Sequence, residues 1–301
     1  MKSIKKANSF SKKILTIVLL SLCVVWTIPT VGILITSFRT KDAVSSTSWW
    51  TAYKTPRSFT LDNYDQVLGG QRFSVGDANG TKAIRGASMA SAFLSSIAVT
   101  VPAVFIPIFI AAAAAYGFAW LNFRGRKPLF AMIIALLVVP LQISLIPILR
   151  DYQKLGLNGT YLGIWLAHTG FGLPLATYLL FNYISTLPRS ILESAFMDGA
   201  SHFTAFSRLI IPLSVPALAS FAIFQFIWVW NDLLVALVFL SGAGQTMEVV
   251  TVRLMNMAGT RGTEWHLLTA GAFVSMLLPL AVFLGLQRYF VRGLLAGSVK
   301  G

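Results

Sequence analysis

The sequence predicts an all-α, polytopic membrane protein with six transmembrane helices, and three observations carry that expectation. Hydrophobic residues fill 56% of the 301 positions, charged residues only 11%, and the mean hydropathy is +0.73. A soluble domain carries roughly a quarter charged residues, so lipid must be the solvent for most of this chain. Six apolar stretches each reach the ~20 residues that cross a ~30 Å hydrocarbon layer as a helix. Lys and Arg collect at the ends of those stretches rather than on one polar face, which is the pattern of membrane-flanking charge.

Taken in order, the stretches are 14–38, 87–121, 129–149, 162–183, 215–240 and 267–290. The first follows Lys2, Lys5, Lys6, Lys12 and Lys13 and so imitates a signal peptide. It exceeds the ~7 to 15 apolar residues of one and shows no clear small-x-small cleavage site, so a retained signal anchor is expected. The second is longer than a span needs, so part of it tilts or lies along the surface. Pro102, Pro107, Pro140, Pro147, Pro174 and Pro279 fall inside the stretches. Each removes an N–H, so kinks are expected where neighbouring helices can satisfy the freed carbonyls.

Orientation follows from Lys and Arg in the short connections. The tail 1–13, the Arg124, Arg126 and Lys127 cluster, and the ending with Arg288, Arg292 and Lys300 fall on one side of a six-span chain. That side is the cytoplasm, and both termini lie there. One permease domain then occupies 14–290, with outward loops at 39–86 and 241–266, a cytoplasmic loop at 185–216 and a cytoplasmic tail at 291–301; no soluble domain is found.

The net charge of +14 would suit a nucleic-acid binder, but its distribution argues for a membrane partner instead. Cys23 is the only cysteine, which excludes an intrachain disulfide and a Cys-based metal site. His168, His202 and His266 sit in separate segments without HExxH spacing, so neither a metal centre nor a membrane metalloenzyme is expected. No GxxxxGK[ST] phosphate loop is present; energy from ATP would have to come through another subunit.

The loop 185–216 is too long for a simple connection. Pro188 can start a helix, Ser185 or Thr186 can cap it, and Gly199 is placed to end it. Leu192, Ala195 and Phe196 share a face, with Ile191 adjoining, and the pair of short helices carries Phe196 and Met197. A second short helix follows, with Ser201 as cap and an apolar stripe of Phe203, Phe206 and Leu209 or Ile210 until Pro212. Two readings stand: a hairpin lying on the membrane, or a knob that docks into a partner's groove.

Glu193-Ser194-Ala195, Asp198-Gly199-Ala200, Pro212-Leu213 and Pro216 resemble the EAA loop of ABC importer permeases, with Ser194 in place of the first Ala. Ala115-Tyr116-Gly117-Phe118-Ala119 with Phe123-Arg124-Gly125-Arg126, Leu155-Gly156-Leu157-Asn158-Gly159-Thr160, and the ending Gln287-Arg288-Tyr289-Phe290-Val291-Arg292-Gly293 are similar to its carbohydrate, MalG-like branch. The resemblance covers nearly the whole chain. It implies the MetI-like fold of type I importers and a coupling role for Glu193, Ala195, Phe196, Met197, Asp198, Gly199 and Ala200. It also implies a second permease subunit, two copies of a cytoplasmic ATPase subunit that hold ATP and Mg, and an extracytoplasmic sugar-binding protein that meets loops 39–86 and 241–266. This chain would bind no cofactor and would not itself be an enzyme.

A neutral, hydroxyl-rich sugar needs aromatic faces with amide or carboxylate partners at depth. Gln225, Trp228, Trp230, Asn231 and Asp232 supply such a set, and the translocation path is expected at Gln225, Trp228, Asn231 and Asp232. Asp232 is the only acid in an expected span, which marks a functional site or a structural hydrogen-bond partner; the tryptophans fit interface anchors equally well. Similarity over 225–301 lies closest to α-glucoside or disaccharide permeases, with a polyol or glycerol-phosphate-type solute as alternative. A secondary transporter would be expected to carry more intramembrane acids.

Overall fold

The computed structural model describes the backbone of residues 2–70, 72–77, 80–85, 88–258 and 264–296, and side chains at 12–70, 88–244, 246–258 and 264–287. Arg261 and residues 297–301 lie outside the described residues, as do the side chains of Lys2, Lys5, Lys6, Arg288 and Arg292.

Helix α1 (Lys2–Ser37) precedes the short helices α2 (Lys41–Ser46) and α3 (Asp62–Gly69) and a hairpin of β1 (Arg72–Asp77) with β2 (Gly80–Arg85). Next come α4 (Met89–Trp120), α5 (Arg126–Ala135), α6 (Leu141–Lys154) and α7 (Tyr161–Ile184). The following connection holds α8 (Arg189–Met197), α9 (His202–Ala205), a π turn over Phe206–Ile210 and α10 (Ile211–Leu213). The chain then runs through α11 (Val215–Trp230), α12 (Leu234–Phe239), α13 (Val250–Ala258) and α14 (Trp265–Ala296). The helical class holds. The antiparallel β1–β2 pair, Arg72 opposite Arg85 through Asp77 opposite Gly80, is an addition that the expected loop 39–86 did not contain.

Among the described residues four helices are long and apolar enough to cross a membrane, and six spans result when each of two bent pairs counts as one. One bend and one helix break correct two expected boundaries. The stretch 129–149 is no single helix: α5, extended by a 3-10 turn at Leu136–Val138, meets α6 at 104°. Proline disfavours helical backbone in the residue before it, and Val139 accordingly sits at ψ 118° ahead of Pro140. The stretch 215–240 ends as a helix at Trp230, where Asn231, Asp232 and Leu233 break it before α12. On its other side α11 meets the helical run His202–Leu213 at 70°.

The remaining prolines sit inside continuous helices, and three show how. Each frees the carbonyl four residues earlier. Pro102 frees Ala98, whose oxygen accepts from Trp165 Nε1 at 2.9 Å. Pro107 frees Ala103, whose oxygen accepts from Gln225 Nε2 at 3.2 Å. Pro279 frees Ser275, whose oxygen accepts from Trp230 Nε1 at 3.0 Å. A carbonyl bare in hydrocarbon is expensive, so each proline makes a socket that a neighbouring helix fills.

Contacts group into two units, Met1–Met89 with Leu254–Val274 and Ala90–Arg253 with Ser275–Gly301. In the first, Asn63 Nδ2 donates to the Ser37 and Arg39 carbonyls, both at 2.8 Å, and the Tyr64 and Ser37 hydroxyls pair at 2.7 Å. These bonds fold the segment after α1 back onto its last turn. Buried Arg39 donates to the Ala43 and Thr47 carbonyls at the end of α2, and Lys41 pairs with Glu264.

The second unit has two apolar cores. One packs Val99 and Ala103 of α4 against Leu145, Ile164, Ala167, Val229, Val235 and Phe239. The other packs Ala111, Ala112, Ala115 and Tyr116 of α4 against Ala176, Leu180 and Ile184 of α7 and against Leu192, Ala205, Ile210 and Phe221. Small residues along α4 let its neighbours approach closely, as membrane helix contacts require.

Candidate coupling hairpin and cleft

Helix α8 starts directly after Pro188, whose fixed φ of −61° is preorganised for an entry into a helix. Ser185 and Thr186 do not cap it, contrary to expectation. Their hydroxyls donate backward to the carbonyls of Asn182 and Tyr183 and close α7 instead.

The end of α8 is a Schellman turn. Gly199 adopts φ +80°, the Ala200 N–H donates to the Ala195 carbonyl at 2.9 Å, and the Gly199 N–H donates to Phe196 at 3.0 Å. That conformation favours glycine because a Cβ is strained in it. Ser201 then caps α9 as expected, its Oγ accepting from the Thr204 N–H at 3.2 Å. Asp198 bridges the two helices at the exposed tip.

The hairpin has an inner and an outer side. Leu192, Ala205 and Ile210 are buried in the α4 and α7 core. Tyr116 Oη pairs with His202 Nδ1 at 2.9 Å, and its ring lies 5.3 Å from that of Phe206. His202 in turn meets the Phe196 ring edge-on at 4.9 Å. Outside, Glu193 is exposed, Met197 is 89% exposed and Phe203 77%. The face drawn through Leu192, Ala195 and Phe196 therefore points partly inward: Leu192 is sunk, Ala195 half-buried and Phe196 38% exposed. Tyr116 and His202, the fastening pair, were not singled out as site residues, although Tyr116 stands inside the Ala115-to-Ala119 motif.

Of the four path residues, the structure brings three together. Trp228, Asn231 and Asp232 line a cleft of about 620 Å³ with Ile223, Phe224 and Phe283. Asp232 lies in the break between α11 and α12, a correction to its expected place inside a span. Its Oδ2 accepts from the Ala236 N–H at 3.1 Å, capping α12, while its carbonyl accepts from Thr251 Oγ1 at 2.6 Å. Asn231 is exposed and donates to Ile227 at 2.8 Å. Gln225 stands apart: it is 1% exposed, spends its amide on the Ala103 and His168 carbonyls, and lies against Gly172, where a Cβ would come within 2.7 Å. It ties α4, α7 and α11 rather than facing the cleft. Trp230 is likewise enclosed, between Phe93 and Phe226.

The fold thus combines broken apolar spans with a helical hairpin that is buried on one side and exposed on the other, and it is a membrane transport component by its relatives. The chain belongs to the family of binding-protein-dependent transport system inner membrane components, matched over residues 103–295. It is 52% identical over 299 residues to the osmoprotective compounds uptake permease protein GgtD of Synechocystis sp., covering 98% of this chain and 95% of that protein. It is 57% identical over 252 residues to the alpha-glucoside transport system permease protein AglG of Rhizobium meliloti, covering 82% of this chain and 62% of the relative. The fold matches that of a bacterial ABC transporter involved in the import of the acidic polysaccharide alginate, with a TM-score of 0.69 at 22% identity over 92% of this chain and 95% of that one.

Proposed function

We propose that this chain is one permease of a pair in an ABC importer for a di- or oligosaccharide of the α-glucoside class, delivered by an extracytoplasmic binding protein. ATP and Mg are held by two copies of a separate ATPase subunit, this chain having no nucleotide site of its own. The hairpin 189–213 is the part those subunits grip, through Glu193, Phe196, Met197, Asp198 and Gly199, with Ala195 and Ala200 closing the turn. Both termini and the hairpin lie in the cytoplasm, and the segments 39–86 and 241–266 face the binding protein. Trp228, Asn231 and Asp232 border the path.

The observation that carries this reading is the hairpin's two-sidedness. Leu192 is buried and hydrogen bonds fix the turn, yet Met197 and Phe203 project almost bare. An apolar pair on a rigid turn is what a partner's groove recognises. Similarity to AglG supports an α-glucoside. Similarity to a permease for osmoprotective compounds favours, as second reading, a compact polyol-type osmolyte.

The test is purification with its operonic partners followed by uptake in proteoliposomes. An ATPase subunit should co-purify, and trehalose, sucrose or maltose uptake should require ATP and the binding protein. Uptake by the purified chain without any ATPase, or labelling of a cysteine at Ser190 only from outside the cell, would overturn it.

A further inference from the structure

Behind the cleft lies polar chemistry that the fold leaves unused. His168 on α7 is 1% exposed and its Nδ1 has no hydrogen-bond partner; the Oγ1 of Thr169, 6% exposed, has none either. Buried polar atoms are paired in the great majority of cases, so adjacent orphans on one turn call for an explanation.

Over His168 lies Trp228. Its ring meets the His168 imidazole edge-on, centroids 5.5 Å apart at 87°. Trp228 also lines two clefts: the one bearing Asn231 and Asp232, and a second of about 380 Å³ between Leu136, Tyr152, Ala167, Gly170 and Phe171. It is the one residue shared by the two linings, so it stands at the edge of both.

We propose that His168 is a sugar-contacting residue held behind Trp228, which acts as both gate and stacking platform. The ligand class is a pyranose: its C–H face rests on the indole while a ring hydroxyl pairs with His168 Nδ1. A hydroxyl both donates and accepts, as an imidazole nitrogen requires, and stacking leaves the sugar's rim pointing at α7. The backbone carbonyl of His168 is held by Gln225, so the imidazole sits on a fixed part of α7. This inference rests on the sugar-import reading and adds to it a residue on a second helix.

The test uses the reconstituted importer with its ATPase and binding protein, measuring maltose, sucrose and trehalose moved per ATP hydrolysed. His168→Phe keeps the ring and its contact with Trp228 but removes both nitrogens. It should lower sugar moved per ATP about tenfold, while ATPase stimulation by liganded binding protein stays within about twofold. His168→Asn returns a polar atom near Nδ1 and should restore most transport. Unchanged transport in His168→Phe overturns the proposal. Equal loss of ATPase stimulation in both variants does so too, since that marks a structural role. If the unaltered importer moves none of the three sugars, the sugar reading itself has failed, which is seen before any variant is compared.

Discussion

Truncating the hairpin from its two sides should give opposite outcomes. Met197 is 89% and Phe203 77% exposed, so replacing either by Ala costs the permease no more than about 0.5 kcal/mol of stability. Buried in an ATPase groove, each side chain contributes about 1.5–3 kcal/mol, so each truncation weakens ATPase binding about ten- to a hundredfold. Leu192, 2% exposed in the α4 and α7 core, reverses this: Leu192→Ala costs about 2–5 kcal/mol of fold stability. Thermal unfolding of the permease pair alone and its affinity for the purified ATPase subunit separate the two quantities. A drop in melting temperature with unchanged affinity in Met197→Ala and Phe203→Ala would refute the assignment of inner and outer faces.

Three further outcomes follow from the geometry. Gly199→Ala places a Cβ at φ +80° where no neighbour lies within 4 Å, so its cost is backbone strain alone, about 1–2 kcal/mol, and Gly199→Asn should cost less; amide exchange across 189–205 reads both. Tyr116→Phe removes the hydrogen bond to His202 but keeps the ring against Phe206, a loss of about 1 kcal/mol that should lower sugar moved per ATP more than it lowers melting temperature. Glu248 and Arg253 form an ion pair with side chains 7% and 11% exposed, so removing one partner should cost about 3–5 kcal/mol while Glu248→Gln with Arg253→Met together cost much less, read by thermal unfolding of the four members of the cycle.

Composition and apolar length made the helical class and the approximate spans legible because they depend on each residue's solvent, not on its neighbours. The EAA-like spacing located the hairpin because Gly199 and Ser201 act locally, each within one turn of its partner. What stayed hidden depends on a second helix. Nothing at Gln225 itself says that it faces a carbonyl freed by Pro107, and nothing at Tyr116 says that His202 lies beside it. The break at Asn231-Asp232-Leu233 was invisible for another reason: the apolar run continues through to Leu240, and hydropathy does not register a change of direction. The bend at Val139 and Pro140 was written in the sequence, but Pro140 resembled five other in-span prolines that stay inside helices, and packing alone distinguishes it.

Helix α4 runs past the hairpin, the Gln225 tie and the segment 246–250 of the second unit. Near its start the Ser96 Oγ accepts from the Val250 N–H at 2.8 Å, and Ser95 donates to Thr246. Midway its Ala103 carbonyl holds Gln225, and near its end Ala112, Ala115 and Tyr116 seat the hairpin. Ser96 and Tyr116 are about 30 Å apart at 1.5 Å per residue, so one continuous helix joins the hairpin to the Gln225 tie on α11, the helix that carries Trp228. The transfer point is the Pro107 socket, and a double-mutant cycle isolates it. With Pro107 present, Gln225→Leu strands the Ala103 carbonyl and costs about 1–3 kcal/mol. In a Pro107→Ala background that carbonyl regains a donor from its own helix, so the same change costs much less, leaving a coupling energy of about 1 kcal/mol or more between the sites. Both single variants should also reduce sugar moved per ATP, because each uncouples α11 from α4. An additive stability cycle would show that Gln225 is merely buried there, and α4 would then have no grip on α11 through it.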